Sequence, residues 1–222
     1  MTGPTCRADA GDKLCALTFD DGPHAVQTAR VLDRLQAHGA VPATFFLWAE
    51  RIDAGSATVL QRMLREGHEL ANHSWSHADM TALAPLQRAL EFQRAQDAIS
   101  HAAGGRAPRF FRAPFLAVND AVLDAVPLPF AGGIPAHDWL GSDAPTARAR
   151  ADKILNDPQL RDGAILLLHD VQPDPHPTPE ALDLLIPALR RRGYGFVTLS
   201  DLFALKQVDA MAAGRRQWQV VV

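Results

Sequence analysis

The chain has 222 residues, 47% of them hydrophobic, and a formal net charge of -3 with its nine histidines neutral. That length fits one generous domain, and the composition supplies ample apolar surface for a single large core. The near-balanced charge and the lack of any basic run exclude a polyanion-binding surface, and no apolar run is long enough to span a bilayer.

The first element is an apolar run from Leu14 to Phe19 that reads as a buried strand. It stops at Asp20-Asp21, where Gly22-Pro23 force a turn. Thr28, Val31, Leu32 and Leu35 recur at helical spacing, and Gly39 closes that helix. Pro42 precedes a second strand, Ala43 to Trp48, and Ser56 to Arg65 predicts a helix with Ser56 as N-cap and Gly67 beyond its end. A third strand, His68 to Asn72, runs into His73-Ser74-Trp75-Ser76-His77.

Pro85 to Ala102 predicts a helix carrying Leu86, Leu90 and Ile99, ended by Gly104-Gly105. Arg109 to Arg112 reads as a fourth strand stopped by Pro114, Asn119 to Ala125 as a short helix, and Leu128 to Gly132 as a fifth strand. His137-Asp138-Trp139 precedes a helix beginning near Pro145. Ala164 to Leu168 is the clearest buried strand, ending in His169-Asp170. After the proline-rich loop 173–179, Thr178 to Arg192 predicts a helix in which Pro187 imposes a kink or restart. Gly195 to Leu199 is the last strand, and Gln217 to Val222 could form a terminal edge strand.

Short apolar strands alternating with helices about seven times argue for an α/β fold of parallel βα units, and the count and length favour a barrel over an open sheet. No Gly-rich phosphate fingerprint follows the first strand. The unusual polar residues follow strands: Asp20-Asp21, His73 and His77, Arg112, Asp138, and His169-Asp170. In a parallel barrel all strand C-termini open on one face, so these regions converge there.

Two adjacent carboxylates at a buried strand end repel each other and need compensation. One reading is a polar turn in which Asp21 caps the next helix. The other is a metal ion under one carboxylate with its neighbour left free as a base. His73 and His77, four apart, have ligand spacing, and one Asp from another strand end completes a facial set with open positions. Such an N/O set suits zinc, cobalt, nickel or iron. Neighbours on a strand point to opposite sides, so Asp20 and Asp21 divide these roles. Arg112 is a candidate partner that keeps Asp20 charged, and otherwise an ordinary surface cation. His169 is either a core histidine satisfied by backbone or a general acid held as imidazolium by a carboxylate such as Asp138. Trp139, Phe115 and Leu167 are either apolar walls of that site or core. His24, His38, His68, His101, His137 and His176 read as structural or surface.

Assembled in order, these segments resemble the NodB-homology polysaccharide deacetylases, carbohydrate esterase family 4, over about Leu14 to Leu202. Thr18-Phe19-Asp20-Asp21-Gly22-Pro23 is similar to the first motif, and His73-Ser74-Trp75-Ser76-His77 to the second. Arg112-Ala113-Pro114-Phe115 resembles the third and Leu167-Leu168-His169-Asp170 the fifth. The fourth departs, because Asp138-Trp139 stands while Pro135 occupies its earlier acid position.

The resemblance implies a deformed (β/α) barrel of about seven parallel strands, a single domain over 1–222. It implies one divalent metal on Asp21, His73 and His77, zinc first with cobalt or nickel as alternatives. Asp20 is then the base tuned by Arg112, and His169 the acid steered by Asp138. Pro114 and Phe115 touch substrate, with the Phe115 N–H on the oxyanion, and Trp139 and Leu167 enclose the acetyl methyl group. The expected reaction is removal of N-acetyl groups from N-acetylglucosamine glycans by a monomer. An O-acetyl xylan esterase on the same site is the alternative. A silent carbohydrate-binding module would have lost a ligand, Asp20 or His169, and none is lost. The family works outside the cytoplasm, whereas residues Met1 to Gly11 carry no apolar export segment, and Cys6 and Cys15 could close one small loop.

Overall fold

The computed structural model describes residues 12–139, 146–172, 176–211 and 217–221. In chain order the elements are β1 (Lys13–Asp20), α1 (Gln27–Ala37), β2 (Ala43–Leu47), α2 (Ala57–Arg65), β3 (Glu69–Asn72), α3 (Pro85–Ala102), α4 (Asp120–Ala125) and β4 (Phe130–Ala131). They continue with β5 (Ile134–Pro135), α5 (Ala147–Leu155), β6 (Ala164–His169), α6 (Thr178–Arg191), β7 (Tyr194–Phe196), α7 (Leu199–Leu205) and β8 (Gln217–Trp218). The main sheet runs β3-β2-β1-β6-β5, with β7 beside the start of β1, and every one of these pairings is parallel. Single bridges carry it onward from Asn72 to Phe111 and from Phe111 to Phe130 in β4, which pairs with β8. An antiparallel bridge from Val220 back to Ala164 completes the circuit. The expected α/β barrel is therefore present in deformed form, and the terminal segment lies between β4 and β6.

The alternation of strand side chains decides what faces each way. Cys15, Leu17 and Phe19 of β1, Phe45 and Leu47 of β2, and Leu166 and Leu168 of β6 belong to an outer core packed by α1, α2 and α6. Ala16, Phe46 and Ile165, one residue out of step with these, belong to an inner core with Phe110, Val197 and Leu202. Asp20 and His169 share the parity of Ala16 and Ile165, so they point inward at the ends of their strands. The register makes them neighbours, with Asp20 opposite His169.

Several elements differ from expectation. The fourth strand contracts to Phe111 alone, because Pro108 and Pro114 bracket the segment and the adjacent Pro129 has no N–H to give. The inner face of α3 is Arg88, Phe92, Ala95 and Ile99, while Leu86 and Leu90 are 72% and 48% exposed. Arg88 can be buried because its guanidinium donates to the Met80 and Leu83 carbonyls. Pro187 does not divide α6, whose Leu182, Leu185, Ile186 and Leu189 are all buried. The last strand ends at Phe196, since Thr198 caps α7 by accepting from the Asp201 N–H. Thr146 precedes α5, and Pro145, Cys6, Val222 and residues 173–175 of the proline-rich loop lie outside the described residues. Cys15 is buried.

Candidate active site

The chemistry gathers in a cleft of about 340 Å³ lined by Asp20, Asp21, His73, His77, Phe115 and His169, with Trp139, Leu167, Gln172, Ala113 and Leu116 completing its walls. Asp20 is held from behind. Arg112, fully buried, donates from Nη1 to Asp20 Oδ1 at 2.6 Å and from Nη2 to Thr18 Oγ1 at 2.9 Å. Its Nε donates to the Ala131 carbonyl at 2.9 Å, Nη2 also reaches the Gly132 carbonyl, and the guanidinium stacks 4.0 Å over Phe46. Thr18 in turn donates to the Leu166 carbonyl. Every face of this buried cation is thus compensated, which a charge at zero exposure requires. Asp20 Oδ1 is committed to Arg112, and Oδ2 faces the cleft 4.0 Å from His73 Nε2.

Asp21 leaves the strand with φ +77°, in the left-handed region, and so turns away from Asp20 toward the two imidazoles. His73 Nδ1 lies 2.8 Å from the Arg112 carbonyl, which can only accept, so Nδ1 carries a proton and Nε2 is the nitrogen that faces Asp21. His73 Nε2 and His77 Nε2 stand 3.6 and 3.3 Å from Asp21 Oδ1. These are ion-pair distances, and Oδ1 is buried with no hydrogen-bond partner among the described residues. Donor atoms of the three side chains lie within 4.8 Å of one another. A buried carboxylate oxygen without a hydrogen-bond partner among the described residues, facing two imidazole nitrogens, fits a divalent cation. Burial opposes charge on Asp21, but contact with His77 and the charges of His73 and His169 draw its carboxyl down to about 2. Helix capping by Asp21, the other sequence reading, is not seen, since α1 begins at Gln27 without a side-chain cap.

Across the cleft, His169 Nδ1 is 2.8 Å from Asp138 Oδ1, and its backbone N–H donates to Asp138 Oδ2 at 2.7 Å. Thr178 Oγ1 donates to the same Oδ2 at 2.6 Å. Burial disfavours charge on His169, yet the Asp138 carboxylate, with Asp20 and Asp21 adding, raises it to about 9. His169 is therefore an imidazolium at neutral pH with Nε2 available to the cleft.

Of the eleven sequence-predicted residues, Asp20, Asp21, His73, His77, Phe115, Trp139, Leu167 and His169 line the cleft. Arg112 and Asp138 stand directly behind Asp20 and His169. Pro114 is buried and does not line it, because its ring begins the Pro114–Leu116 turn that presents Phe115 at φ +58°. Sequence reasoning missed Thr178, Thr18 and Gln172. His176, read as structural or surface, is the structural kind, buried with Nε2 3.1 Å from the His169 carbonyl. Asp170, noted only as a strand end, accepts from the Gly22 N–H and from Thr28 Oγ1, and burial raises its carboxyl to about 7. A Cβ on Gly22 would sit 2.2 Å from Asp170 Oδ2, so glycine is required there.

The polysaccharide deacetylase family model matches residues 7–127, more than half of the chain. The chain belongs to the polysaccharide deacetylase family. A family 4 acetyl xylan esterase from Clostridium thermocellum, solved with a cobalt ion, superimposes with a TM-score of 0.89 at 46% identity, covering 94% of this chain and 99% of that one. A bifunctional xylanase/deacetylase from Pseudobutyrivibrio xylanivorans is 40% identical over 89% of this chain, which spans 31% of that protein's length. A chitooligosaccharide deacetylase from Bradyrhizobium is 35% identical over 87% of this chain and 92% of its own. Within the deacetylase family this chain thus has relatives of both amide-cleaving and ester-cleaving kinds.

Proposed function

We propose that this chain is a metal-dependent deacetylase that hydrolyses N-acetyl groups of N-acetylglucosamine glycans, chitin oligosaccharides or peptidoglycan, releasing acetate. The observation that carries the proposal is the orphaned Asp21 oxygen among two imidazoles, flanked in one cleft by an Arg-bound carboxylate and a carboxylate-bound imidazolium. Asp21, His73 and His77 would hold one divalent ion, and zinc is the metal we propose, with cobalt or nickel suited to the same donors. When bound, the ion supplies Lewis-acid polarisation of the acetyl carbonyl and acidifies water.

The residues then divide the proton traffic. Asp20 Oδ2, the oxygen not engaged by Arg112, takes a proton from the attacking water. The tetrahedral intermediate's oxyanion meets the Phe115 backbone N–H. His169 Nε2 gives its proton to the departing amine, so acetamide and water become acetate and glucosamine. Trp139 and Leu167 surround the acetyl methyl group. Asp138 serves His169 as orienting carboxylate, and the whole chain, 1–222, acts as one monomeric domain outside the cytoplasm, where such polymers occur.

A second reading, an O-acetyl xylan esterase on the same residues, is favoured by the 46% identity to the Clostridium thermocellum esterase. The charged state of His169 argues for the amide, because an amine must be protonated to leave and an alkoxide needs less help. Acetate release from N-acetylglucosamine oligomers and from acetylated xylan, measured on one preparation, separates the two. Activity should vanish with chelator, return with zinc or cobalt, and fall by about 100- to 10,000-fold in Asp20→Asn. Full activity in that variant would refute the assigned base.

A further inference from the structure

Two of the three proposed ligand residues occupy backbone conformations that resist them. Asp21 has φ +77° and His77 φ +60°, both left-handed and neither glycine. Such loops hold their geometry only when neighbours impose it. The connection after β2 touches both. Trp48 N–H donates to the Gly22 carbonyl at 2.8 Å, while Ala49 and Glu50 N–H donate to the Ser74 and Trp75 carbonyls at 3.1 and 3.0 Å. Those backbone bonds tie the two loops whatever side chains the connection carries.

The side chains add something specific. Arg51 Nη1 donates to the Asp21 carbonyl at 2.9 Å, and its guanidinium lies 4.1 Å over the Trp48 ring. Trp48 also stacks against His77, with ring centres 5.0 Å apart and planes 26° from parallel. Phe115 closes the opposite edge of His77 at 4.8 Å. The indole thus packs against both a cation and an imidazole. Its Nε1 is buried with no hydrogen-bond partner among the described residues. A buried N–H left unsatisfied costs stability, so what the ring contributes here is its stacking and not its donor.

We infer that Trp48 and Arg51 are positioning residues that hold Asp21 and His77 in ligand geometry, one through a ring stack and the other through a carbonyl bond. Neither lines the cleft. The inference rests on the metal reading proposed above. It predicts an effect on the metal site separable from folding, since partners that orient ligands typically alter metal affinity by about 10- to 100-fold.

The test uses the full chain and reads zinc affinity by competition with a chromophoric chelator, the visible spectrum of the cobalt-loaded protein, and the melting temperature of the metal-free protein. Trp48→Leu and Arg51→Met should each weaken zinc binding by about 10-fold or more and shift the cobalt bands, with the metal-free melting temperature close to wild type. Trp48→Phe, which keeps an aromatic face against His77, should recover most of the affinity. Arg51→Lys should recover little, because an ammonium cannot both stack and reach the carbonyl as the planar fork does. Should Trp48→Leu fail to fold, the partly exposed Arg51 carries the comparison. Wild-type affinity and an unshifted cobalt spectrum in Arg51→Met would overturn the inference while leaving the metal site standing. A wild-type chain that binds neither ion, or a His73→Ala variant that binds as well as wild type, overturns the metal reading itself.

Discussion

Replacing Asp138 with Asn keeps the shape of the group behind His169 and removes its charge. In the native protein Asp138 takes hydrogen bonds from the His169 ring, the His169 backbone and Thr178, with no exposure of its own side chain. Its carboxylate is the largest influence raising His169 from 6.5 to about 9, against a burial that pulls the other way. That rise corresponds to about 3 kcal/mol favouring the imidazolium. Without that charge burial is opposed only by Asp20 and Asp21, so His169 loses its proton at lower pH and is a poorer acid at neutral pH. Hydrolysis of N-acetyl substrates should drop by about 100- to 10,000-fold, and the alkaline limb of the kcat/KM profile should move to lower pH. Acetyl esters, with their better leaving group, should suffer less. Stability carries the same signature. Because the folded value lies above the unfolded one, the pair's contribution is complete below about pH 6.5 and is lost as pH rises through about 9. The melting-temperature gap between wild type and variant should therefore be wide near pH 6 and narrow near pH 9.5. An alkaline limb that stays in place, with an unchanged amide-to-ester ratio, would refute the assignment of His169.

Arg112→Met should be the most damaging single change to the fold. It leaves Asp20 without its buried counter-charge and takes the guanidinium from the Ala131 and Gly132 carbonyls, while Thr18 keeps its bond to the Leu166 carbonyl, a loss of about 3–5 kcal/mol readable as a lowered urea midpoint. His68 predicts acid sensitivity. Burial lowers it to about 4 from 6.5, so its contribution is whole above about pH 6.5 and is lost as pH falls toward 4, by about 3 kcal/mol. His68→Gln should flatten that part of the urea-midpoint profile between about pH 7 and 4.5, and an unflattened profile would assign the acid sensitivity elsewhere.

Much of this arrangement was legible in the sequence because it rests on local patterns. Leu14 to Phe19 and Ala164 to Leu168 are apolar runs bounded by abrupt polar ends, and parallel strands buried on both faces must look like that. The polar ends then converge by topology alone. What escaped was decided by tertiary partners. Leu86 and Leu90 look like a core face, yet Arg88 takes the inward position because two free carbonyls await its guanidinium. Thr178 looks like the first residue of a helix, and only the fold brings its hydroxyl to Asp138, 40 residues earlier. The start of α7 was within reach, since Thr198 followed three residues later by Asp201 is a capping signature that outweighs the β-propensity of the preceding run.

Asp20 and His169 are register partners on adjacent parallel strands. The backbone spacing of the proposed proton acceptor and donor is therefore set by the sheet's hydrogen-bond ladder, at about 4.8 Å, and not by any loop. Insertions in the connections around the cleft can change which glycan reaches it while that backbone spacing stays constant. A one-residue deletion inside either strand, by contrast, would turn its carboxylate or imidazole to the outer face. A scaffold wired in this way can change its diet by lengthening loops and still keep its chemistry.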